Sequence, residues 1–199
     1  VNVAKQTVTL PTLTTANSFI YTGNAITVGT TTSGLYTVSG NAQTNVGDYQ
    51  VTFALQDTSN YAWINGTTTA YSISWSITKA TNSWTSAPSI SDWNFGDVVV
   101  GGTAQARFGT VIVEYKLSSQ DDNSYTTTLP KSAGSYIVRF TVNATTNYTG
   151  LSTTLGFAIH NTSVAIPTLT TTTVYTGNWI EAITNANANL YTITTNGSL

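Results

Sequence analysis

Residues 47–61 read GDYQVTFALQDTSNY, and residues 134–148 read GSYIVRFTVNATTNY. Both stretches carry G-x-Y-x-V-x-F, followed at identical spacing by T-x-N-Y. In the first, Tyr49, Val51, Phe53 and Leu55 alternate with Gln50, Thr52, Ala54 and Gln56. A period of two sends these sets to opposite faces, so the stretch predicts a β-strand with one apolar and one mostly polar face. Tyr136, Val138, Phe140 and Val142 repeat the pattern.

Outward from these strands the same period recurs. It appears at Tyr71, Ile73, Trp75 and Ile77, at Val111, Val113, Tyr115 and Leu117, and at Leu155, Phe157 and Ile159. Turn chemistry separates the runs at Ser33-Gly34, Asn65-Gly66, Gly101-Gly102 and Asp121-Asp122-Asn123. No stretch carries the i, i+3, i+4 apolar spacing of a helix. Many short alternating strands between regular turns predict an all-β sandwich fold. Trp75 belongs to the inward set, and Trp75→Ala is expected to destabilise its core by several kcal/mol.

The chain also repeats. LPTLTT at 10–15 returns as IPTLTT at 166–171, followed each time by YTGN (21–24 and 175–178) and then by LYTV or LYTI (35–38 and 190–193). The middle copy enters differently, with WTSAPSISDWNFGD at 84–97. The reading is therefore a type A unit at 1–80, a type B unit at 81–160, and the first half of a third, type A unit at 161–199. Spans of about 80 residues suit a compact seven-strand sandwich, a little below the ~100 usual for such domains. The junctions, Thr78–Asn82 and His160–Thr162, are short and are not Gly/Ser tethers, which favours a semi-rigid rod.

Composition excludes several function classes. Charged residues make up 7% of the chain and the net charge is −2, so the surface must be solvated mainly by neutral Thr, Ser and Asn. The six basic residues are scattered, which disfavours phosphate-backbone binding and hence a nucleic-acid partner. Cys is absent, so disulfides and thiolate chemistry are excluded. No apolar run approaches the ~20 residues of a membrane helix, so no membrane insertion is expected in this segment. The opening VNVAKQTVTLP lacks a signal-peptide pattern, as expected of a processed exported chain or an excerpt of a longer one.

The segment VSGNAQTNVGDYQVTFALQDTSNYAWINGTTTAYSISWSITKA at 38–80 resembles the closing half of bacterial immunoglobulin-like repeats found in large exported surface proteins. The resemblance rests on Gly47, Asp48, Tyr49, Val51, Leu55, Asp57, Asn60, Tyr61, Trp63, Gly66, Trp75, Ile77, Lys79 and Ala80. The second copy resembles a sister form of that group. Such membership implies tandem immunoglobulin-like sandwiches in an extracellular cell-surface or secreted protein, working as stalk, adhesin or filament component. It implies no catalytic site.

The stock of reactive groups is thin. His160 is the only histidine, beside a junction, and no nucleophile elbow surrounds it. The acids Asp48, Asp57, Asp92, Asp97, Glu114, Asp121, Asp122 and Glu181 form no pair legible in sequence. Asp121-Asp122-Asn123 offers oxygen ligands of the kind calcium uses, although such turns are commonplace. Trp84, Trp93 and Trp179, with Phe95, lie in the looser first halves; they are candidate contacts for a sugar face, weighed against core packing. Self-formed Lys–Asn side-chain bonds have donors in Lys5, Lys79, Lys116 and Lys131 but no surrounding motif.

The leading expectation is a structural module of a bacterial surface protein, a non-enzyme without cofactor whose partners are neighbouring repeats or like subunits. The alternative is an adhesin or carbohydrate-binding module using loop aromatics, with a cell-surface glycan or host protein as partner. The third copy stops at Leu199 before its G-x-Y-x-V strand, which makes it either a cut edge or a surface completed by a neighbouring subunit's strand.

Overall fold

The computed structural model describes residues 3–166, with two short strands beyond them at 168–169 and 183–184. The described residues are all-β apart from one short 3-10 turn, Asp122–Ser124. In its N-terminal half the strands are β1 (Gln6–Val8), β2 (Ser18–Ile20), β3 (Ile26–Thr27), β4 (Tyr36–Ser39), β5 (Ala42–Gln43), β6 (Gly47–Leu55), β7 (Tyr61–Trp63) and β8 (Tyr71–Thr78). The second half adds β9 (Trp84–Ser89), β10 (Trp93–Asn94), β11 (Thr103–Ala106), β12 (Val111–Leu117), β13 (Gly134–Val142) and β14 (Leu151–His160). Beyond these, β15 (Thr168–Leu169) pairs antiparallel with β16 (Ile183–Thr184). Most of the expected third unit, with Trp179 and Glu181, lies outside the described residues.

The long alternating runs become the strands they predict. Four of them, β2-β8-β6-β4, form one sheet in that order, with β2 parallel to β8 and the other neighbours antiparallel. The second half builds the same order from β10-β14-β13-β12, again with a parallel edge strand. Each half also holds smaller pairings: β1 with β7 and β3 with β5 in the first, β9 with β11 in the second.

Two separate cores follow from the pleat. Val51, Phe53, Leu55, Trp75 and Ile77 point off the first sheet onto Val8, Val28 and Trp63. Tyr115, Tyr136, Val138, Phe140, Phe157 and Ile159 form the second cluster, with Trp84, Trp93 and Leu129 packed against it. With no disulfides, stability rests on these faces, where each large buried side chain contributes roughly 1.5–3 kcal/mol. The buried indoles keep their polar atoms paired: Trp63 Nε1 donates to the Thr69 carbonyl at 2.8 Å, and Trp75 Nε1 to the Gly40 carbonyl at 3.1 Å. Gly40 has a φ of 73°, and a Cβ there would run into the Gln50 carbonyl oxygen. Only glycine lets the chain turn close enough to meet the Trp75 ring.

Smaller details recur in both halves. Tyr49 donates its hydroxyl to the Asn45 carbonyl at 2.7 Å, and Tyr136 donates to the Ser132 carbonyl at 2.9 Å. The Tyr21 amide donates to the carbonyl of Thr78 at the end of β8, and the Phe95 amide to that of His160 at the end of β14. These bonds set Tyr21 beside Phe95 in role, and Asn45–Gly47 beside Ser132–Gly134. Register also matches Lys5 with Lys79, because Gln6 pairs parallel with Tyr61 and Ala80 with Tyr148.

Candidate functional site

The reactive residues singled out in the sequence are dispersed. His160 ends β14, and its Nε2 lies 3.5 Å from Asp92 Oδ2, with both side chains more than half exposed. Asp92 accepts the Ala158 amide at 2.8 Å through its other oxygen, which ties the β10 edge to β14. A nucleophilic triad needs a serine hydroxyl on the far imidazole nitrogen, and no hydrogen bond among the described residues supplies one. Asp97 accepts the Asn94 amide at 2.8 Å, closing the turn after β10. Among the described residues no group of three or more His, Asp or Glu side chains is arranged to hold a metal ion.

In the Asp121-Asp122-Asn123 turn one oxygen of each carboxylate is bonded within the protein. Asp121 caps the 3-10 turn by accepting from the Asn123 amide at 3.0 Å. Asp122 meets the largely buried Lys116, whose Nζ donates to its Oδ1 and to the Gln120 carbonyl, both at 2.8 Å. The Lys116 hydrogen bond, helped by its charge, holds the Asp122 carboxyl below its usual range. Nearby, Arg139 donates through Nε and Nη2 to Glu114 Oε2 and lies over the Tyr125 ring at 3.9 Å. Lys5 and Lys79 donate to the carbonyls of Thr58 and Thr145. The lysine partners found here are backbone carbonyls and one ionised carboxylate, a poor electrophile for a side-chain amide.

Of the candidate contact aromatics, Trp84 and Trp93 are half-buried. Trp93 lies on β10 and stacks on Phe157 with ring centres 4.9 Å apart, and Trp84 begins β9; both pack against the second core. Trp179 is outside the described residues. Phe95 differs from them, because its side chain is 55% exposed.

Where the geometry does concentrate is the joint between the two cores. The span expected as a junction is folded rather than free: β8 ends at Thr78, and Ala80 already pairs with Tyr148 and exchanges backbone bonds with Asn147 and Thr149. The turn carrying Asn147 and Tyr148 leans on the first half. Asn147 accepts the Val46 amide at 3.0 Å and donates to Asn45 Oδ1 at 3.1 Å. Tyr148 stands edge-on to Tyr21 at 5.5 Å and lies flat on Phe108 at 3.6 Å. Asn82, only 3% exposed, anchors Phe108. Its amide donates to the Phe108 carbonyl at 2.7 Å, and its Oδ1 accepts from the Phe108 and Ser83 amides at 3.2 and 2.9 Å. A buried amide with these bonds satisfied orients the ring on which Tyr148 rests.

Sequence reasoning found the T-x-N-Y repeat but not its use. The signal was present three residues upstream of each asparagine, where Asp57 stands in the first copy and Ala144 in the second. Tyr21 opens the repeated YTGN, which gave no hint of its contact, and Asn82 and Phe108 carried no repeated pattern. No family model matches the chain, and no curated protein matches it.

Proposed function

We propose that the chain is a run of tandem immunoglobulin-like β-sandwich units at 1–80 and 81–160, with a further unit opening at 161–199. It serves as a structural module, stalk or filament building block, of an extracellular bacterial surface protein. The observation that carries this reading is the joint: a dedicated asparagine and a three-ring aromatic contact bind one unit to the next. A binding module strung on flexible tethers has no need of such a joint.

Several features support the sandwich assignment. The β8-β6-β4 order, repeated as β14-β13-β12, is that of the three-stranded sheet of immunoglobulin-like domains. Tyr49 and Tyr136 each bond a carbonyl four residues upstream, in the manner of a tyrosine corner. The sparse charge and the neutral hydroxyl-rich outer faces suit a spacer exposed to solvent. The alternative, an adhesin or glycan-binding module, draws less support because Trp84 and Trp93 are committed to core packing.

Backbone 15N relaxation on the isolated chain tests the reading. Amides of both halves are expected to share one rotational diffusion tensor. Independent tumbling of residues 3–78 and 83–160 would overturn the stalk role.

A further inference from the structure

β12 is the outer strand of the second sheet, and part of its outer edge has no hydrogen-bond partner among the described residues. Its inner edge faces β13, in a register that runs from Val111↔Val142 to Leu117↔Tyr136 without a shift. The outer edge is occupied only toward its C-terminal end. There Tyr115 exchanges backbone bonds with Thr126 at 2.7 and 3.0 Å, and the Leu117 amide donates to Gln120 Oε1. Val111 and Val113 lie in phase with Tyr115, so their N–H and C=O groups point to that same outer edge. Their side chains pack against the core, while Ile112 between them stands on the outer face, 37% exposed. Glu114 follows on that face, bonded to Arg139. No proline, lysine or register shift interrupts Val111–Val113, although these are the devices that keep sheet edges from pairing with other chains.

The first half blunts the same edge. Val38 pairs with Phe53 as Val113 pairs with Phe140, and the two phenylalanines hold one place in G-x-Y-x-V-x-F. Ser39 and Gly40 therefore stand where Ile112 and Val111 stand. A serine replaces the apolar side chain, and Gly40, with its φ of 73°, turns the chain off the edge. The joint uses neither edge: among the described residues, no hydrogen bond links the second half to Tyr36–Ser39, or the first half to Val111–Glu114. A unit set on the second half as the second is set on the first therefore leaves Val111–Val113 uncovered.

We infer that this edge pairs with the same edge of a second copy of the chain, antiparallel, about a two-fold axis at Ile112. Antiparallel exchange joins residues whose groups both point outward, so Val111 and Val113 can meet only one another or themselves. Pairing Val111 with Val113 of the second copy, and Val113 with its Val111, satisfies every unpaired group and leaves Tyr115 to Thr126. Centring on Val113 needs Tyr115, which is taken; centring on Val111 sets Val113 against Gly109, which lies in a turn at a φ of 88°. In the remaining register Ile112 faces Ile112 of the second copy in the close, non-hydrogen-bonded position. Glu114 faces Thr110, so no like charges are opposed. An edge complementary to itself in length, register and charge favours a second copy over a foreign strand. So short a contact lies at the weak, transient end of protein interfaces. The inference goes beyond the stalk reading and does not depend on it, because paired edges tie chains side by side.

Two measurements on the full chain test this. The chain has no cysteine, so Ile112→Cys puts a single thiol at the axis. With dissolved oxygen as oxidant it is expected to form a disulfide-linked homodimer roughly tenfold faster, or more, than Ser74→Cys on the exposed face of β8. Thr110→Cys is expected to match the slow control, because its copies lie about 14 Å apart along the pair. Sedimentation equilibrium of the unsubstituted chain, taken to about 1 mM, is expected to show dimers that Val113→Pro and Ile112→Lys abolish. Proline removes a donor where an edge tolerates it, and lysine guards an edge; thermal unfolding checks that both variants stay folded. A chain monomeric throughout overturns the proposal. So does self-association that both variants leave unchanged, or Ile112→Cys oxidising no faster than Ser74→Cys. A monomer whose Val113 amide is protected from exchange by an unrelated extended peptide assigns the edge to a foreign strand and overturns the choice of partner. None of these outcomes alters whether the two halves tumble as one body.

Discussion

The turns Asp57–Tyr61 and Ala144–Tyr148 share the letters T-x-N-Y and put the asparagine to opposite uses. In the first, Asp57 Oδ1 accepts the amides of Ser59 and Asn60 at 2.9 and 3.1 Å, and Oδ2 takes the Asn60 side-chain amide at 2.7 Å. The turn closes on itself. In the second, Ala144 offers no carboxylate, so Thr145 Oγ1 takes the Tyr148 amide at 3.1 Å and Asn147 is released toward Asn45 and Val46. One side chain decides whether the asparagine is a local cap or a clasp.

The strands behind the two turns differ as well. After Tyr61 come Ala62 and Trp63, which drive an indole into the first core, whereas Thr149 and Gly150 follow Tyr148. By register Val8, buried in the first core, corresponds to Asn82, which is buried but fully bonded. The first half uses these positions for packing and the second for building the joint. The contrast yields a graded set of expectations.

The largest effect belongs to the indoles. Trp63→Ala and Trp75→Ala are each expected to destabilise the first half by about 3–5 kcal/mol, the usual cost of emptying a large buried aromatic site. Denaturant unfolding followed by amide NMR reads the halves separately. A loss spread equally over both would break the view of two cores.

Asn82→Ala comes next. It leaves the Phe108 N–H and C=O without partners, at roughly 1–3 kcal/mol per buried group. Because Phe108 is only half-buried, the low end of that range applies: the second half is expected to lose about 2–3 kcal/mol, and the Tyr148 ring to gain mobility. An unchanged Tyr148 ring-flip rate would show that Asn82 does not anchor the stack.

Tyr148→Ala and Asn147→Ala probe the clasp itself. An aromatic pair adds about 0.5–1.5 kcal/mol beyond burial, and a hydrogen bond nets around 1 kcal/mol. Each change is expected to reduce the coupling between halves by about 1–2 kcal/mol on these grounds, seen as separation of two unfolding transitions. The same change at Asn60 is expected to leave the coupling alone.

The smallest effect is pH-dependent. The Asn60 side-chain amide, with backbone amides of Asn60 and Ser59 behind it, holds the Asp57 carboxyl below its ordinary range. A depressed folded value means a contribution fully present above the unfolded value near ~3.9 and lost as the pH falls through the folded one. Asp57→Asn is therefore expected to flatten the acid slope of first-half stability as the pH falls below about 4. Identical slopes in urea unfolding would remove Asp57 from the account.

Much of this was written in the alternation. Tyr49 to Leu55 and Tyr71 to Ile77 could only be strands with one buried face, because period two leaves no other way to bury those side chains together. The short parallel edges at Ser18–Ile20 and Trp93–Asn94 were not legible, since two or three residues carry no period. The candidate site was less legible still. Trp93 and Phe95 are aromatics two residues apart, yet one stacks on Phe157 and the other is exposed, because β10 ends at Asn94 and Phe95 already belongs to the turn.

By itself, then, the sequence determined the long alternating strands and the recurrence of T-x-N-Y, because backbone sterics and burial of alternate residues act locally. Only the tertiary structure decided that Asn147 crosses to Val46 and that Asn82 holds Phe108 beneath Tyr148. Those contacts join residues 26 to 102 positions apart, and their partners are fixed by how the sheets pack rather than by any spacing along the chain.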